Sequence, residues 1–103
     1  MSEAGDNPQR LANLKQLGVG SLRSFSGGFS DLERVVRELK PVVRSLEPIA
    51  DPALFNAVLQ QWGQLEIIYA LVLEGDRFSL TPDEETSVRE VVARLLEDLR
   101  IDC

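Results

Sequence analysis

Residues 51–75 read DPALFNAVLQQWGQLEIIYALVLEG, and this stretch decides the fold. Asp51 followed by Pro52 is an N-cap with proline at the first helical position, and Gly75 supplies the exit, so the spacing predicts one helix ending near Glu74. Leu54, Phe55, Val58, Leu59, Trp62, Leu65, Tyr69, Val72 and Leu73 fall on one face at about 100° per residue. Gly63, Ile67, Ala70 and Leu71 point the other way, with Gln60 and Gln64 beside them. A helix apolar on two opposed faces is central either to its own bundle or to an interface. Gly63 carries no side chain, so a second helix can approach closely there.

Outward from this segment the same periodicity recurs. On the N-terminal side, Ser30-Asp31-Leu32-Glu33 has the pattern of a capping box, and Leu32, Val35, Val36, Leu39, Val42, Val43 and Leu46 form a stripe within about 120°. Pro41 lies inside that stripe without shifting its phase, which predicts a kinked rather than a split helix ending before Pro48. On the C-terminal side, Thr81-Pro82-Asp83-Glu84 repeats the capping logic, and Val88, Val91, Val92, Leu95, Leu96 and Leu99 make a third stripe. Glu85 with Arg89 and Glu90 with Arg94 are spaced as i,i+4 ion pairs. In the intervening link, Phe78 and Leu80 are candidates to clip onto the core.

Residues 1–29 read as an N-terminal arm and residues 30–103 as the bundle. In the arm, Asn7-Pro8 and Gly18 bracket a short helix over residues 8–17 with Leu11, Leu14 and Leu17 on one side, followed by a Gly/Ser-rich loop. The expected fold is therefore all-α, a small antiparallel bundle of three long helices plus a short N-terminal one. Folded over the Ile67/Leu71 stripe, the arm would bury it internally; otherwise a second chain is needed to cover it.

The composition of the 103 residues, 44% apolar and 27% charged with seven glycines and five prolines, suits a single globular domain and excludes collagen-like and disordered classes. Eleven basic against seventeen acidic residues leave a net charge of −6, concentrated after residue 50. A nucleic-acid binder is expected to concentrate positive charge, and this chain does not. Its most apolar run, residues 67–73, is far short of the ~20 residues of a membrane span. The N-terminus lacks the basic and apolar regions of a signal peptide, and Cys103 is the sole cysteine, so a reducing, cytoplasmic setting is expected.

Histidine is absent, which removes the commonest general base, the commonest metal ligand and every imidazole-dependent triad. Asp83, Glu84 and Glu85 match no calcium loop, and dipole capping accounts for them. Glu66, at the edge of the main apolar face, is expected at a rim paired with Arg34, Arg37 or Arg44. Arg34, Arg37, Lys40 and Arg44 form the most concentrated positive surface, interleaved with Glu33, Glu38 and Glu47 as a solvated face.

No enzyme activity, cofactor or metal is expected. The leading expectation is a small interaction module, an adaptor, regulator or complex subunit, binding a protein partner through Gly63, Ile67, Ala70 and Leu71. A second copy of the chain is the simplest such partner. The alternative is an acidic decoy that inhibits a basic, nucleic-acid-binding protein.

Overall fold

A computed structural model describes residues 3–100, with side chains from Pro8 onward. Among the described residues there are four helices and no strands: α1 (Glu3–Arg23), α2 (Phe29–Leu46), α3 (Pro52–Glu74) and α4 (Pro82–Asp98). The all-α expectation holds, and the three stripes become the core. Leu32, Val35, Leu39 and Leu46 of α2, Val58 and Leu65 of α3, and Val88, Val92 and Leu95 of α4 meet in one cluster, with Leu99 just past α4. Asp51 accepts from the Ala53 amide at 3.2 Å and Pro52 begins α3, while the Gly75 amide closes its far end on the Leu71 carbonyl at 3.2 Å.

The helices neighbour one another in a ring, α1 beside α2, α2 beside α3, α3 beside α4, and α4 back beside α1. Named pairs give the directions. Ser21 of α1 bonds Glu38 of α2, and Leu14 shares a groove with Ser45, so α1 and α2 run antiparallel. Trp62 of α3 bonds Val36 and Tyr69 bonds Glu33, so α3 runs antiparallel to α2. Leu22 lies near Val92 and Lys15 reaches the Arg100 carbonyl, so α4 runs antiparallel to α1. This register carries the first turns of α1 past the end of α2, and the molecule extends 52 × 24 × 19 Å.

The N-terminal segment departs from expectation. Its helix does not stop at Gly18 but runs for 21 residues through both Gly18 and Gly20, and the loop is confined to residues 24–28. Glycine lowers helix propensity by about 1 kcal/mol relative to alanine, yet packing outweighs that here. Gly18 is buried where an added Cβ would stand 2.7 Å from Leu99 Cδ1, so its missing side chain lets α1 close on the end of α4. Leu22, one turn on, is 1% exposed, and Ser21 Oγ donates to Glu38 at 2.7 Å. Leu11 and Leu14 pack against the core, whereas Leu17 is 64% exposed. The segment is the bundle's fourth helix.

The two capping signatures also part company. Around Thr81 both bonds form, Glu84 N to Thr81 Oγ1 at 3.1 Å and Thr81 N to Glu84 Oε1 at 2.9 Å. Helix α2 instead starts at Phe29 with Gly28 as a cap that makes no side-chain bond. Glu33 is held elsewhere, accepting from the Tyr69 hydroxyl at 2.8 Å, and Asp31 takes both the amide and the hydroxyl of Ser26. Helix α2 continues unbroken across Pro41, whose missing amide falls on the exposed side, where the freed carbonyl can be hydrated. In the α3–α4 link Leu80 packs on the core, but Phe78 is 82% exposed and does not.

Candidate functional site

The outer face of α3 is built by default. Trp62 donates to the Val36 carbonyl at 3.2 Å, and Tyr69 stacks on Phe29 with ring centroids 5.4 Å apart, which ties one side of α3 to α2. Its opposite side packs on α4, with Val58, Leu65 and Val72 turned fully inward. Helix α1 sits diagonally across the ring, against α2 and α4, and does not reach over α3. Gly63, Ile67, Ala70 and Leu71 share a sector of about 100° and together face outward. Ile67 is 56% and Leu71 54% exposed, and Ala70 is exposed with them. A Cβ built on Gly63 meets nothing within 4 Å, so that position is a notch open to the outside. The arm therefore leaves the stripe bare. Leu59 at 39% and Leu73 at 44% extend the apolar surface, although the sequence pattern assigns both to the buried face.

The charge on this helix is one-signed. Between Pro52 and Glu74 there is no basic residue. Glu66 is exposed and ion-paired with none of Arg34, Arg37 or Arg44, which corrects the expected rim pair. The physical reason is competition from within α2. Arg34 turns along its own helix to Glu38 at 3.0 Å and Asp31 at 3.6 Å, and also donates to the Ser21 carbonyl at 3.4 Å. Its Nη2 is buried without a hydrogen bond, because 3.6 Å is an ion-pair separation too long for one. Bonds from Ser26 hold the Asp31 carboxyl below its ordinary range, and the Ser21 hydroxyl does the same for Glu38. Arg37, Lys40 and Arg44 remain exposed on the outside of α2.

A second feature is a groove of about 740 Å³ between α1 and α2, walled by Leu14, Leu17, Gly20, Ser21, Pro41 and Val42, with the Arg34–Glu38 pair at its side. It lies where the sequence reading placed a loop. The spacing of Leu14, Leu17, Ser21 and Ser24 at three and four residues was the available signal that α1 continues. The groove offers no net positive charge, since Arg34 faces two carboxylates.

At the α4 end, Arg77 clamps Glu84 through two bonds of 2.8 Å, and Thr81 adds a third, holding the Glu84 carboxyl down to about 2. Glu85 pairs with Arg89 at 2.9 Å as its spacing predicts, and Arg89 also reaches the Ser26 carbonyl at 3.2 Å and lies over the Phe25 ring. Among the described residues no group of three metal-ligating side chains converges, and no helix is long and apolar enough to cross a membrane. Cys103 lies outside the described residues. No protein-family model, curated protein or solved structure matches the chain.

Proposed function

We propose that the protein is a small interaction module that binds another polypeptide through the outer face of α3. The observation that carries this reading is the exposure of Ile67 and Leu71, each more than half bare, on the one side of α3 that faces away from α2 and α4. Burying a Leu or Ile side chain completely is worth roughly 1.5–3 kcal/mol, so each of these leaves about half of that unrealised in the isolated chain. Ala70 and the open notch at Gly63 allow a partner helix to come close enough to collect it. The acidic-decoy reading draws less support, because Glu84 and Glu85 are engaged by Arg77 and Arg89 and present little free charge.

The test compares complexes formed in the native host by the wild-type chain, by Ile67→Asp and by Ala93→Asp, the last placed on the exposed side of α4. A buried unpaired carboxylate is costly, so Ile67→Asp is expected to lose its partner while Ala93→Asp keeps it. Equal recovery from all three chains refutes the assignment to α3.

A further inference from the structure

We propose that the occupant of this face is a basic amphipathic helix of another protein. It is seated over the C-terminal half of α3, its apolar side on Ile67, Ala70 and Leu71 and its Lys or Arg side chains toward the surrounding carboxylates. The inference rests on the reading of α3 as the interaction face, and the charge around the apolar patch is what selects the partner. Glu74 lies one turn beyond Ala70 and Leu71 on the same side of α3, and Glu66 borders Ala70 on the side toward α2. Asp76 follows at the exit from the helix. Helix α4 returns beside α3, so its first turns, with Asp83 and Glu90, lie level with the last turns of α3. All five carboxylates are exposed, and none takes part in the four ion pairs formed among the described residues. Glu90 is not bridged to Arg94 in spite of their i,i+4 spacing.

The chain's own cations do not answer this charge. At this end of the bundle Arg34 is held by Asp31 and Glu38, Arg77 by Glu84, and Arg89 by Glu85. Glu33 marks the level of Tyr69 through its hydrogen bond, and from there Arg37, Lys40 and Arg44 lead along α2 past Trp62, beside the first half of α3. A basic helix over the N-terminal half of α3 would meet those cations, whereas over the C-terminal half it meets unpaired acids. The same rim repels nucleic acids and anionic membranes. An apolar patch with a one-signed border thus fixes both the contact and the sign of the partner.

Fluorescence anisotropy of labelled synthetic helices against the full chain tests this. Two peptides carry the same leucine and alanine stripe, one with lysine on both flanks and the other with glutamate. The lysine peptide is expected to bind at least about 10-fold more tightly, and salt at about 0.5 M to narrow the gap. Ile67→Ala and Leu71→Ala, which change no charge, are each expected to weaken it about 5- to 10-fold. An exposed ion pair is worth only about a few-fold in affinity, so both carboxylates are reversed together, and Glu66→Lys/Glu74→Lys is expected to erase or invert the preference. Its helical circular dichroism stays unchanged, because neither carboxylate is ion-paired within the chain. Glu47→Lys/Glu97→Lys makes the same change of net charge with exposed acids at the opposite end of the bundle and is expected to preserve the preference. A glutamate peptide that binds as tightly as the lysine one, yet is weakened by Ile67→Ala and Leu71→Ala, overturns the basic partner and leaves the face reading standing. Equal loss of preference in the two double variants overturns the basic partner too, by reducing the attraction to net charge. Lysine-peptide binding indifferent to both alanine variants overturns the contact with α3 itself. Binding of neither peptide overturns the basic helix, while the comparison of host complexes with Ile67→Asp still decides the face.

Discussion

Replacing Leu22 by alanine, with Leu17→Ala as its control, measures whether α1 is a structural member of the bundle. The two leucines sit on one helix, yet Leu22 is 1% exposed among Phe25, Val92 and Leu96 while Leu17 is 64% exposed. At ~0.8 kcal/mol per carbon, removing the buried isopropyl group of Leu22 forfeits roughly 2.4 kcal/mol of transfer free energy. Incomplete collapse of the space left behind raises the total to about 3 kcal/mol or more. The same truncation at Leu17 removes a group only about one-third buried, so the expected loss is roughly 0.8 kcal/mol, part of it recovered from alanine's better helix propensity. A chain of this size is stable by about 5–15 kcal/mol, so Leu22→Ala consumes a large fraction of the total. Urea unfolding followed by circular dichroism reads both variants, and thermal melting should show Leu22→Ala lower by about 12–24 °C. Equal and small effects at the two positions would refute the packing of α1 and return residues 1–29 to the status of a removable arm.

Other expectations follow from single features. Glu84 is held down to about 2 by Arg77 and Thr81, so its contribution is complete above the unfolded-state value near 4.5 and is lost as pH falls from there toward 2. Asp31 and Glu38 act in the same direction, while burial raises Asp98 and opposes them. Urea titrations at descending pH should therefore show a shallower acid loss in Arg77→Gln than in wild type, and identical slopes would remove Glu84 from the account. At the alkaline end, the bond from the Tyr69 hydroxyl to Glu33 raises the phenol, so the stability it adds should fade as pH rises above about 10, and Tyr69→Phe should abolish that limb. Gly27 has φ +112°, and an added Cβ would run into the Arg89 guanidinium, so Gly27→Ala should destabilise by about 1 kcal/mol or more; no change in the urea midpoint would mean the loop relaxes freely. Thr81→Ala should cost about 1 kcal/mol by loss of the α4 cap, and an unaltered midpoint would show the cap to be redundant beside Arg77.

Periodicity alone determined the stripes of α2 and α4, because a long helix with a single apolar face needs only the 3.6-residue repeat to declare which side is buried, whereas α3, apolar on two sides, leaves Leu59 and Leu73 of its assigned stripe exposed. It also located the residues of the candidate face, since Gly63, Ile67, Ala70 and Leu71 could not share a side with Val58, Leu65 and Val72. Whether that face is covered was not a local property. It depends on where α1 lies in the ring, and the length of α1 is not legible locally, because a glycine ordinarily ends a helix, whereas here the bare backbone of Gly18 accommodates Leu99. The same limit separates the two capping signatures. Ser30-x-x-Glu33 and Thr81-x-x-Glu84 are equivalent as sequence, but Tyr69, thirty-six residues away from Glu33, takes that carboxylate, while Arg77 orients Glu84 toward its own cap. Local pattern decides what a segment can form; competition among partners brought together by the fold decides which of those options is used.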